Sequence, residues 1–113
     1  MKKLVCVATT ALLLAASGAM AQQETSHAAQ ALSHADMAQE HAAMGHAPVA
    51  LQHAQVSLQH AQMAQEENAN GHMAEAMNHL NQAISHAEMG HAPVTDTHMQ
   101  QAISHMRMAT PEQ

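Results

Sequence analysis

The sequence predicts an all-α fold, a four-helix bundle built from two duplicated helical hairpins. Three observations predict it. The twelve histidines fall at 27, 34, 41, 46, 53 and 60, then at 72, 79, 86, 91, 98 and 105, and the second six are the first six plus 45. The residues between them are mostly Ala, Gln, Met, Leu and Glu, all good helix formers. Breakers occur only at intervals, at Gly45, Pro48, Asn68 to Gly71, Gly90, Pro93 and Pro111. The shift carries other residues along: "MGHAPV" at 44–49 recurs at 89–94, and "ALSHA" at 31–35 aligns with "AMNHL" at 76–80. One unit has been duplicated, with repeats at about 27–67 and 72–110.

Residues 1–21 stand apart from these repeats. Lys2 and Lys3 form a basic start, "LVCVATTALLLAA" (4–16) a short apolar run, and "AMA" (19–21) a small-x-small cleavage site. That pattern is expected of a secretory signal peptide, leaving a domain at 22–113. The apolar run is too short for a comfortable membrane span, and no later segment is apolar enough for one. Helix one is expected near 24–44, with Gly45 as the left-handed residue just past its end. Helix two is expected at 48–67, opened by Pro48 in its first turn. "NANG" (68–71) separates the units. Helix three is expected at 72–89, ended by Gly90, and helix four at 93–109, opened by Pro93 and stopped by Pro111.

The seven-residue ruler suggests a packing seam. With each histidine as position zero, position five holds Leu32, Leu51, Leu58, Met77, Ile84 and Ile103. Position one holds Ala28, Ala35, Ala42, Ala54, Ala61, Met73, Leu80, Ala87, Met99 and Met106. Alternating steps of four and three between them make a coiled-coil seam, with Gln39 and Asp96 as polar exceptions at position five. At ~100° per residue the histidines then sit about 120° from the seam, on the helix shoulder. Position three, with Met37, Met44, Val56, Met63, Met89 and Met108, lies further toward solvent. A seam of Ala and Met with no aromatic residue is thin. It permits either close Ala-lined packing or a loosely packed state without ligand.

Composition excludes several functions. Cys6 leaves with the expected signal, so the remaining chain has no disulfide, thiolate ligand or cysteine nucleophile. Both lysines leave too, and Arg107 faces nine acids, a formal charge of 1 − 9 = −8 with neutral histidines. Nucleic acid is not an expected partner, because phosphate binding needs Lys and Arg. No Ser/His/Asp signature or cofactor motif marks an enzyme. The signal and the lack of disulfides suit a bacterial periplasm.

Two histidines seven apart on one helix lie about 10.5 Å apart along the axis. They cannot share one ion with ligand bonds of ~2 Å. Either each histidine anchors a site with a neighbour one turn away, or rows on two adjacent helices face each other. His34, Met37 and His41 run at i, i+3 and i+7, and His72, Glu75 and His79 repeat the spacing with a carboxylate. The turns add His41, Met44 and His46, mirrored by His86, Met89 and His91. Imidazole suits Cu(II), Ni(II) and Zn(II), with Cu(II) bound most tightly, and thioether suits Cu(I). Candidate ligands are therefore His27, His34, His41, His46, His53, His60, His72, His79, His86, His91, His98 and His105, with Met37, Met44, Met89 and Glu75. The other carboxylates, Glu67 among them, are expected to be solvated.

The stretches "HADMAQEHAAMGHAPVALQHAQVSLQHAQ" (34–62) and "HMAEAMNHLNQAISHAEMGHAPVTDTHMQQAISHMR" (72–107) resemble the small metal-binding protein (SmbP-like) family of bacterial periplasms. The resemblance covers nearly the whole chain after the signal. It implies a small monomeric four-helix protein that binds several divalent ions, copper foremost, through its repeated histidines and without catalysis. Here Ala, Gln and Met replace the Lys and Glu that such proteins carry between histidines, which shifts weight toward methionine. The expectation is a periplasmic protein that buffers or sequesters copper, and secondarily nickel or zinc. Two alternatives stay open: a metal-independent envelope interaction module with a histidine pH switch, and a metallochaperone that delivers copper.

Overall fold

In the computed structural model, which describes residues 25–110, four antiparallel helices follow in chain order. They are α1 (His27–Ala43), α2 (Ala47–Glu67), α3 (Gly71–Glu88) and α4 (Ala92–Ala109). The expected signal segment, Cys6 and Pro111 lie outside the described residues. The Ser26 hydroxyl caps α1 by accepting from the Ala29 N–H at 3.2 Å. The Asn70 side chain caps α3 by accepting from the N–H groups of His72 and Met73. No described helix is long and apolar enough to cross a membrane.

The two hairpin turns are built alike. Gly45 and Gly90 have φ of 81° and 76°, the left-handed region that costs other residues steric strain. At the first turn the Gly45 N–H donates to the Ala42 carbonyl at 3.0 Å and the His46 N–H to the His41 carbonyl at 2.8 Å. The second turn repeats both bonds, Gly90 to Ala87 at 3.0 Å and His91 to His86 at 2.9 Å. This nested pair is a Schellman turn, which satisfies carbonyls the helix end would leave open. Pro48 and Pro93 then enter the first turn of α2 and α4.

The closest helix pairs are α1 with α2 and α3 with α4; α1 with α4 and α2 with α3 complete the bundle. The core seam corrects the expected one. Position one is buried as expected, but its partner is position four: Ala31, Ala38, Ala50, Ser57, Ala64, Ala76, Ala83, Thr95 and Ala102. Of the expected position-five residues only Ile103 is fully buried; Leu32, Leu51, Leu58, Met77 and Ile84 are half-buried. The physical reason is size. An Ala seam lets two helices approach closely, so the smallest row forms the intra-hairpin contact and the larger residues are displaced to its flank.

Position five flanks the seam on the side away from the histidines and meets the neighbouring hairpin. Gln39 of α1 donates to Asp96 of α4 at 2.7 Å across that contact. One buried hydroxyl ties each hairpin internally. Ser57 donates to the Ala31 carbonyl at 2.7 Å, and Thr95 lies 3.4 Å from the Ala83 carbonyl and 3.0 Å from that of His91. The buried row between the helices of the first hairpin is alanine throughout except for Ser57.

Candidate metal centre

Moving the seam to positions one and four moves the histidines. At about 100° per residue they fall about 70° from the seam centre, at the edge of the contact between hairpin helices. Rows from both helices meet there. Each hairpin fixes their register through its turn. The one step of five in each row, His41 to His46 and His86 to His91, is the Schellman turn itself, which folds the second histidine back beside the first. From there each heptad on one helix runs antiparallel to a heptad on the other.

The result is a continuous ladder of six imidazoles in each hairpin. In the first, the order is His27, His60, His34, His53, His41 and His46, crossing between α1 and α2 at nearly every step. Successive ring centroids are 5.5, 5.7, 5.7, 5.6 and 5.8 Å apart. In the second, the order is His72, His105, His79, His98, His86 and His91, with spacings of 5.7, 5.6, 6.0, 5.5 and 5.8 Å. All steps are stacked except the tilted pair at each turn.

Three cross-helix pairs bring ring nitrogens together. Nδ1 to Nδ1 is 3.2 Å for His27 and His60, 3.4 Å for His34 and His53, and 3.4 Å for His72 and His105. In the neutral pair one Nδ1–H donates to the other's bare Nδ1, and the tautomers set the direction. Elsewhere the Nδ1 atoms of His41, His79, His86 and His98 are buried and have no hydrogen-bond partner. A buried imidazole nitrogen without a partner carries a desolvation cost that a hydrogen bond or a cation would offset.

The centre of each ladder resists protonation. His34 is held below its ordinary pKa of 6.5 by burial first, then by charge repulsion from His53 and His60. His79, its equivalent 45 residues on, is lowered by burial, then by His105 and His98, while Glu75 pulls in the opposite direction. Neutral imidazole is the form that ligates metals.

All twelve histidines fall in the two ladders, which realises the facing-rows alternative. The methionines and Glu75 stay outside. Met37 is half-buried, Met44 and Met89 are 51% and 55% exposed at the turns, and Glu75 is exposed. Among the described residues no group of three or more His, Cys, Asp and Glu side chains converges as a metal cage. The ring nitrogens that approach each other do so in pairs.

Glu67 is exposed, as expected, and its Oε1 lies 3.5 Å from His27 Nε2 at the open end of the first ladder. It stands seven residues after His60 and occupies the next position zero. A search of the curated proteins finds no match. A family model described as "Small metal-binding protein" matches residues 1–109.

Proposed function

We propose that this chain, which belongs to the small metal-binding protein family, holds divalent ions between facing histidines of its two ladders and buffers copper, and secondarily nickel and zinc, in the periplasm. The observation that carries this reading is the Nδ1 to Nδ1 distance of 3.2–3.4 Å across the hairpin. Two metal–nitrogen bonds of about 2.0–2.1 Å span roughly 3.3–3.4 Å between nitrogens at the tetrahedral angle of Zn(II) and roughly 2.8–3.0 Å at the right angle that Cu(II) and Ni(II) prefer. Replacing the shared proton of a pair by a metal ion thus needs little movement of either ring. Imidazole pairs favour late first-row ions, with copper highest.

Pairing also limits the capacity. Each inner histidine lies beside two others, so neighbouring pairs compete for it. Using every ring once gives His27 with His60, His34 with His53 and His41 with His46, and the equivalent three pairs in the second hairpin. Twelve histidines taken two at a time hold at most six ions. Two nitrogens do not fill a coordination shell, and water or a nearby side chain completes it. Such sites exchange readily, which suits buffering better than permanent storage. The ladders hold no nucleophile and no general base paired with one, so the role proposed is binding without catalysis. The chain acts as a monomer, and the leader at 1–21 directs it to the periplasm.

Calorimetric titration with Cu(II) at about pH 7.5, where imidazole is free of competing protons, tests the reading. Several ions bound per chain, at about micromolar affinity or tighter, are expected. Binding no stronger than that of free imidazole would turn the ladders into a pH-sensitive surface instead.

A further inference from the structure

The duplication copies the histidines faithfully but not the methionines beside them. One histidine differs from all the rest. On an α-helix the residues at i−4 and i+3 flank a side chain on the same face, with Cβ atoms about 5–6 Å away. For His41 these are Met37 and Met44. For its equivalent, His86, they are Gln82 and Met89. His34, His60 and His105 have one methionine in these positions, and His53, His79 and His98 have none. His41 alone has a methionine at both positions.

Its surroundings suit a cation. The His41 Nδ1 is buried without a partner. The ring stacks on His53 at 5.6 Å and sits 5.8 Å from His46, and no carboxylate completes a harder donor set there. Met44 is half exposed at the turn and Met37 is half-buried one turn before His41. Neither methionine is among the buried residues of α1, which are all alanines. Thioether and imidazole together select soft monovalent ions, Cu(I) above all, over Ni(II) and Zn(II).

We propose that the turn end of the first hairpin is a soft-cation site, in which His41, Met37 and Met44 take one monovalent ion of the Cu(I) class. The second hairpin lacks the equivalent site because Gln82 stands where Met37 does. The two ladders are then unlike: both take divalent ions, and one also takes copper in its reduced state. This rests on the ladders being metal-binding and shares His41 with them, but its two thioether donors lie outside the ladders, so the two can fail separately.

The test uses Ag(I), a redox-inert monovalent probe, with Ni(II) as the divalent control, and methyl NMR of the methionines as readout. One equivalent of Ag(I) is expected to shift the Met37 and Met44 methyl signals before those of Met63, Met89 and Met108. The Met37→Leu/Met44→Leu variant keeps side-chain volume and helix propensity. It is expected to lose at least tenfold in Ag(I) affinity while its Ni(II) affinity changes less than twofold. Gln82→Met is expected to add a second Ag(I) equivalent, reported by the Met89 methyl. Unchanged Ag(I) affinity in the double variant, or Met89 and Met108 shifting first, would overturn the site. Wild-type protein that binds Ag(I) at Met37 and Met44 but no Ni(II) would uphold the site and overturn the ladder reading instead.

Discussion

The two hairpins share a histidine ladder and differ in where they put their larger side chains. In the first, core position one is alanine throughout, at Ala28, Ala35, Ala42, Ala47, Ala54 and Ala61, and Met37, Met44 and Met63 sit outside. In the second, position one carries Met73, Leu80, Met99 and Met106, all buried, and the outside positions gain Glu75, Gln82 and Gln101. Yet the rings are spaced alike, at 5.5–5.8 Å in one ladder and 5.5–6.0 Å in the other. Ladder geometry therefore follows from the heptad register and the Schellman turn, not from the bulk of the core. Core bulk is free to vary, and the second hairpin carries most of it.

That division can be broken most forcefully at Leu80, a fully buried leucine. Leu80→Ala is expected to cost about 2–5 kcal/mol in urea unfolding, because it leaves a cavity where the first hairpin's equivalent already has alanine. An effect below about 1 kcal/mol would mean that the second hairpin does not carry the core.

Register is the next target. Gly45→Ala and Gly90→Ala force a side chain into the left-handed region and are expected to cost about 1–2 kcal/mol each. The cost is expected to be similar in the two hairpins, since the turns are alike. Each is also expected to weaken divalent binding in its own ladder, by pulling His46 from His41 or His91 from His86. Loss in the wrong ladder, read by histidine NMR, would break the link between turn and ladder.

Acid has the smallest and most symmetric effect. His34 and His79 are equivalent, and both are held below 6.5 in the folded state. Unfolded histidines take up protons first as pH falls, so the unfolded state binds more protons through this window. Metal-free stability is therefore lost as pH drops through 6.5 toward the lowered folded values, and is fully present above 6.5. Glu75→Gln is expected to lower the His79 pKa further while leaving His34 unchanged, as NMR titration would show. Movement of His34 instead would contradict the assignment of that carboxylate to the second ladder.

The helix bounds follow closely from Gly45, Pro48, Asn70, Gly90 and Pro93, because each breaker sits where a backbone rule requires it. The histidine periodicity likewise gives a face. What periodicity does not give is the neighbour that face meets. That depends on which row forms the hairpin contact, and side-chain size favours position five in the sequence while close helix approach selects the alanines at position four. Placing the contact on the alanines turns the histidines from a solvated shoulder into two facing rows. The contact of Glu67 with His27 is less legible for a simpler reason: Glu67 continues the ruler with a different residue type.

The central claim is that facing histidines act as pairs. Counting Ni(II) equivalents in His34→Ala, His53→Ala and the double variant tests it most directly. If His34 and His53 share an ion across the hairpin, each single variant loses the same one equivalent and the double variant loses no more. If each histidine anchors its own site with neighbours on its own helix, the losses add to two, and the pairwise account is wrong.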